Sequence, residues 1–367
     1  MKNRFSFFIY LGIFGILLGI GEFFMYRQGL PVLSSSWTVS IFVLLPFTFV
    51  IPNTIPNKLP PAVSRFLSFL GGYWFIFSYY SLFLLILYAL FYGISQLTQQ
   101  QLVWQQYSDI FAAGGFVLIL LTILIGSYNA FHPVYRKIEV LTDKKLLKDI
   151  TIAFASDIHL GTILGRSYSQ RLSKNLNAIR ADLVLLGGDI IDGNLEFVLK
   201  DKSYENLKSI NAPLGKYAVY GNHDYYGENI QKEQEILASC DITFLKDESI
   251  IVTDKICITG LDDFLYNPRN KIPVPRNEFF NILVDHEPWR IKEAAKSGYD
   301  LYLAGHTHAG QFYPNSLVTR KIYDLDYGSK YFNQMLAVVS NGYGFWGIPV
   351  RVGPAPEIVI ISIKSTN

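Results

Sequence analysis

The chain has 367 residues, of which 17% are charged and 50% apolar or aromatic, against about 25% charged in an ordinary soluble domain. Only seven charged residues (Lys2, Arg4, Glu22, Arg27, Lys58, Arg65 and Asp109) fall within residues 1–131, which excludes a uniform globular domain, a disordered chain and a collagen-like one. The net charge of +2 is spread without a basic block, so no broad face for nucleic acid is implied.

A helix needs roughly 20 mainly apolar residues to cross a hydrocarbon core of about 30 Å. Four runs qualify by composition, near 5–26, 37–51, 67–94 and 110–131; the second is short and contains Pro46. They are apolar on every side, whereas a soluble core helix keeps a polar face. Lys2 and Arg4 precede the first run as in a secretory leader, but no small-residue cleavage site follows, so the run is read as staying attached. Gly15 and Gly19 have GxxxG spacing, and Glu22 reads as a carboxylate at the headgroup level.

Orientation follows from the basic residues. With four spans, Lys2 and Arg4, then Lys58 and Arg65, then Arg136, Lys137, Lys144, Lys145 and Lys148 share one side, and Arg27 stands alone on the other. The C-terminal part is therefore expected in the cytoplasm; loss of the second span would reverse this. The reading divides the chain into a transmembrane region at 1–131, a connector at 132–149 and a C-terminal domain at 150–367.

In the domain, short apolar runs end in polar residues. Residues 150–155 lead to Asp157 and His159, 183–186 to Asp189, 217–220 to Asn222, His223 and Asp224, 280–284 to His286, and 301–304 to His306 and His308. Continuous Val, Ile and Leu runs of this length read as strands buried on both faces. Leu172, Leu176 and Ile179 mark an amphipathic helix between them, and Pro288 to Gly298 another. An α/β domain with ligands at the carboxyl ends of its strands is expected.

Five of the six histidines sit at those strand ends, together with Asp157, Asp189 and Asn222. Imidazole with carboxylate suits Mn, Fe or Zn, and the absence of thiolates argues against a structural zinc site. The donors are too many for one tetrahedral ion and about right for two ions sharing a carboxylate, as in phosphatases and nucleases. Cys240 and Cys257 read as buried thiols.

The ordered motifs D-x-H, G-G-D, G-N-H-D, a single His after a strand, and G-H-T-H resemble the calcineurin-like metallophosphoesterase superfamily. The stretches 340–344, 347–351 and 356–357 are further similar to its bacterial membrane-associated branch, which usually has a second glycine where Ala309 stands. The resemblance implies N-terminal all-α transmembrane helices followed by a four-layer α/β/β/α sandwich. It also implies two divalent metal ions, one on Asp157, His159 and His308 and the other on Asn222, His286 and His306, with Asp189 between them. A hydroxide held between the ions would attack phosphorus, His223 would protonate the leaving group or place a charge on the phosphoryl oxygens, and Asp224 would orient the His223 ring.

The implied activity is hydrolysis of a phosphomonoester, phosphodiester or diphosphate. A lipid-linked substrate and a soluble nucleotide both remain open, and the alternative is a non-catalytic scaffold that keeps the fold for protein binding. Tyr225, Tyr226, Tyr343, Phe345 and Trp346 are aromatic residues of a type that would contact a substrate's organic part. Arg351 reads as a surface salt bridge, and Asp192, Asp262 and Asp263 as loop carboxylates.

Overall fold

The computed structural model describes residues 2–33, 35–55, 58–193, 195–227, 229–267 and 271–366; the side chains of residues 2–6, including Lys2 and Arg4, lie outside that description. The chain divides into two compact units, one of residues 1–128 with 347–350, the other of 129–346 with 351–367.

The first unit is helical: α1 (Lys2–Gly29), α2 (Val39–Thr54), α3 (Pro61–Leu97) and α4 (Gln101–Ala130). Three of these are long and apolar enough to cross a membrane. The second of the four expected spans is the exception. Helix α2 has only 16 residues, about 24 Å at 1.5 Å per residue, and Pro46 and Pro52 interrupt its hydrogen-bond ladder.

Burial in this unit runs opposite to that of a soluble protein. Leu17, Leu118 and Ile125 are exposed while Ser64, Ser78, Ser81 and Glu22 are buried, so Glu22 lies inside the unit rather than at a rim. Close helix approach replaces hydrophobic exclusion as the packing device. A Cβ on Gly19 would lie 2.4 Å from the Phe42 carbonyl oxygen, and one on Gly71 would lie 2.5 Å from the Phe49 backbone. The GxxxG spacing therefore marks a real crossing.

The second unit holds two mixed six-stranded sheets. The first contains β1 (Val134–Thr142), β2 (Ile150–Ala155), β3 (Leu183–Gly187), β4 (Lys216–Val219), β5 (Ile242–Phe244) and β12 (Glu357–Ser365), in the order β1-β12-β2-β3-β4-β5. The second contains β6 (Glu248–Ile251), β7 (Ile256–Gly260), β8 (Phe280–Val284), β9 (Leu301–Ala304), β10 (Gly328–Phe332) and β11 (Met335–Val339), in the order β10-β11-β9-β8-β7-β6. Strands β2 to β5 run parallel, as do β7, β8, β9 and β11. The stretch read as a connector thus contains β1, paired in parallel with β12 from Val134↔Glu357 to Thr142↔Ser365.

Side-chain alternation builds the layers. Ile152, Phe154, Leu183 and Leu185 of the first sheet pack against Ile258, Ile282, Leu301 and Leu303 of the second. Ala153, Ala155, Val184 and Leu186 face outward onto Leu172 and Leu176 of α5 (Arg166–Ile179). On the far side, Leu283, Tyr302 and Ala337 pack against Ile291 and Ala294 of α9 (Ile291–Ser297), which ends at left-handed Gly298. The result is the four-layer α/β/β/α sandwich. Both cysteines are buried and unpaired.

Candidate metal centre

All seven expected donors lie just beyond strand carboxyl ends. Strands β2, β3 and β4 deliver Asp157 and His159, Asp189, and Asn222; β8 and β9 deliver His286, and His306 and His308. Five of the seven, Asp157, His159, Asp189, His306 and His308, have φ between 48° and 71°, a left-handed conformation that non-glycine residues rarely adopt. Such backbone strain persists where the surroundings over-determine it, and it clusters at functional sites. Ala309 shares it with φ 50°, so the alanine stands at a position where a glycine would bear no Cβ penalty. Gly188 (φ 85°) is needed for closeness as well, since a Cβ there would lie 2.6 Å from His286 Nδ1.

The donors form two adjoining groups. In one, His159 Nε2 and His308 Nε2 are 3.1 Å apart, and His308 Nε2 is 3.6 Å from Asp157 Oδ1. In the other, His286 Nε2 lies 3.2 Å from both Asp189 Oδ2 and Asn222 Oδ1, and His306 Nδ1 lies 3.0 Å from the same Asn222 oxygen. Asp189 Oδ2 also lies 3.8 Å from His159 Nε2, so this carboxylate stands between the groups. Asp157, His159 and His308, and Asp157, Asp189 and His286, each bring three ligand atoms within 4.8 Å of one another.

The donor chemistry fits metal ions. The His286 Nδ1–H donates to the Gly187 carbonyl oxygen at 2.8 Å, which leaves the Nε2 lone pair of a neutral ring facing a carboxylate oxygen and an amide oxygen. Three acceptors converge there with no donor among them, an arrangement that calls for a cation. Burial works against a charge on His286, yet the Asp189 and Asp157 carboxylates outweigh it and hold its pKa well above the ordinary histidine value. The site demands positive charge by either route.

His223 and its neighbours differ from the expected arrangement. The His223 ring bonds through Nδ1 to Asp192 Oδ1 at 2.8 Å, while Asp224 does not orient it. Asp224 is instead a buried backbone anchor that accepts N–H bonds from Asp189 (2.9 Å), Ile191 (3.0 Å) and Gly221 (2.8 Å), tying the β3 and β4 loops together. Burial alone would depress the His223 pKa, but the Asp192 bond and the Asp189 charge raise it above the usual value. Asp192 was discernible in the sequence only as the second acid of G-G-D-I-I-D, three residues after Asp189.

Arg351 also departs from expectation. It is 1% exposed rather than on the surface, and its Nη2 meets His308 Nδ1 at 2.9 Å and the Asn341 and Gly344 carbonyl oxygens at 2.6 Å. Tyr343 and Phe345 are core residues. Tyr226 and Trp346 are half exposed, with rings 4.7 Å and 5.7 Å from that of His223, and Tyr225 stacks on Tyr266 and donates to Asp262 Oδ1 at 2.5 Å.

Residues 150–310 match the family model for the calcineurin-like phosphoesterases. The chain is also 31% identical over 261 residues to an uncharacterized metallophosphoesterase of Aquifex aeolicus, an alignment that covers 67% of this chain and 98% of the relative. The chain belongs to the calcineurin-like phosphoesterase family. A second such metallophosphoesterase, from Helicobacter pylori strain J99, is 28% identical across 100% of this chain and 92% of its own length. A "transmembrane protein with metallophosphoesterase domain" of Danio rerio is 30% identical over 69% of this chain and 64% of its own. Three membrane-length helices beside a calcineurin-like domain mark a membrane protein of this family.

Proposed function

We propose that this protein is a membrane-anchored, metal-dependent phosphoesterase whose calcineurin-like domain faces the cytoplasm and hydrolyses a phosphomonoester, phosphodiester or diphosphate. The observation that carries the proposal is the convergence of the ring nitrogens of His159, His286, His306 and His308 on the Asp157 and Asp189 carboxylates and the Asn222 amide oxygen at 3.0–3.8 Å. Asp157, His159 and His308 would hold one divalent ion, Asn222, His286 and His306 the other, and Asp189 both; Mn, Fe and Zn suit these ligands. Two such ions, when bound, supply a nucleophile from water and offset charge on the attacking and departing oxygens.

The chain's own part is proton transfer and orientation. His223 presents Nε2 to the leaving oxygen as proton donor, because Asp192 engages Nδ1 and favours the charged ring. Tyr226 and Trp346 beside it contact the organic part of the substrate. Although α2 is not among the membrane-length helices, Lys58, Arg65 and the basic residues 136–148 stay on one side across α3 and α4, so only Lys2 and Arg4 change sides and the orientation holds, with residues 1–131 as the membrane region. For an anchored site, a phosphoester carried by a membrane lipid is the substrate met at the highest local concentration. A scaffold has no use for a proton donor poised beside a complete set of metal donors.

The test is turnover of aryl phosphate monoesters and diesters by the full-length protein reconstituted with Mn. His223→Ala is expected to lower the rate by about 10²–10⁴ with metal content unchanged. A protein that binds Mn and hydrolyses none of these esters refutes the proposal.

A further inference from the structure

Helix α10 (Ser316–Ile322) is an element of the α/β unit that packs nothing away: among its seven residues none is buried. Its sequence, SLVTRKI, nevertheless carries three branched apolar side chains, and Leu317, Val318 and Ile322 are each about half exposed. Val318 and Ile322 are four apart and share a face, and Arg320 and Lys321, also exposed, stand beside them. Tyr313, on the approach to the helix, is likewise more than half exposed. Apolar side chains held in water beside cations form the pattern of an element that sits in the interface of an anionic bilayer.

The helix also forms a rim of the metal centre. It follows the loop that carries His306 and His308, and Tyr323 at its far end sets its ring 6.1 Å from that of His306. Behind α10 lies a groove of about 460 Å³ that runs from Ala309, the residue after His308, past Tyr313, Ser316 and Arg320 to Tyr327. Tyr313, Ser316, Tyr327, Val352 and Pro354 are among its lining residues, and the carboxylate of Asp326, also in the lining, accepts from the Thr319 hydroxyl at 2.8 Å. Such a lining suits a glycerol or sugar headgroup. Helix α10 and this groove thus adjoin the loop that carries His306 and His308.

We infer that α10 is a lipid-entry lip: Leu317, Val318 and Ile322 enter the interface of an anionic bilayer, Arg320 and Lys321 engage lipid phosphates, and the groove beside His308 takes the headgroup of a lipid phosphoester substrate. This rests on the phosphoesterase reading and specifies its substrate as a lipid. The acyl chains stay in the bilayer while the phosphorus reaches the metal centre, so the substrate never has to leave the membrane.

The test uses the full-length protein in phosphatidylcholine–phosphatidylglycerol nanodiscs. An environment-sensitive dye is attached at Val318→Cys or, as a control on the exposed face of α8 (Ile230–Ala238), at Glu235→Cys; the native thiols are buried. Lipids with a nitroxide near the headgroup are expected to quench the dye at 318 severalfold more than at 235. In a second measurement, Leu317→Asp with Val318→Asp is expected to lower the ratio of phosphatidylglycerol to p-nitrophenyl phosphate turnover on the order of tenfold, as burial of two apolar side chains would predict. Equal quenching at both positions with p-nitrophenyl phosphate still hydrolysed overturns the lip and leaves the phosphoesterase reading intact. Dye shielded at 318 but not quenched points to a protein partner and also overturns it. Quenching at 318 with hydrolysis of the soluble ester and an unchanged lipid ratio in the double variant overturns the substrate assignment.

Discussion

The two units answer the same physical demand in opposite solvents. In the α/β unit Ile152, Leu303 and Ile361 are wholly buried, and the buried carboxylates include the candidate metal donors Asp157 and Asp189 and the ion-paired Glu357. In the helical unit Leu17 and Leu118 face outward, and serines, glycines and Glu22 are turned in. Each unit excludes from its solvent what that solvent will not accept. The comparison bears on function: a buried carboxylate is costly unless paired or hydrogen-bonded, and the α/β unit gathers Asp157, Asp189 and Asp224 beyond the carboxyl ends of β2, β3 and β4.

Attacking that concentration of charge gives the largest expected effect. Asp189→Ala removes the oxygen between His159 and His286, and turnover should fall at least about a hundredfold, since even outer partners of metal ligands are worth 10–100-fold. Elemental analysis of the purified variant should show metal lost, and full metal content would break the assignment. Asp224 and Asp192 separate support from chemistry. Asp224→Asn weakens three buried backbone bonds and should cost roughly 2–4 kcal/mol in urea unfolding. Asp192→Asn should leave unfolding nearly unchanged and lower turnover about tenfold or more by releasing the His223 ring.

The helical unit is probed by overpacking. Gly71→Leu would drive a side chain into the Phe49 backbone and destabilise this unit by about 1–3 kcal/mol, read as a lower melting temperature in detergent. Metal content should not change. The smallest effect is expected at the rim of the first sheet, where Lys364→Ala breaks an exposed pair with Glu139; no measurable shift in melting temperature should follow.

Legibility in the sequence followed burial. Strands such as β2 and β8 are buried on both faces and stand out as unbroken apolar runs, and the donors after them were legible from residue type and order. Strand β1 lies at a sheet edge, has largely exposed residues and carries Arg136, Lys137 and Glu139, so it resembles a polar connector until β12 is seen beside it. The roles of Asp192 and Arg351 depend on contacts 31 and 43 residues away in sequence, which no local pattern encodes. Helix α2 was legible as a short apolar run at 37–51, and the structure places it at Val39–Thr54.

The pairing of β1 with β12 bears on biosynthesis. At about 5–20 residues per second, β12 leaves the ribosome tens of seconds after β1, because more than two hundred residues separate them. Throughout that interval β1 and β2 have an empty slot between them that only β12 can fill. A ribosome that stalls late would leave a nascent chain presenting two unpaired strand edges. Such a chain is open to strand exchange with its neighbours and to quality-control proteases.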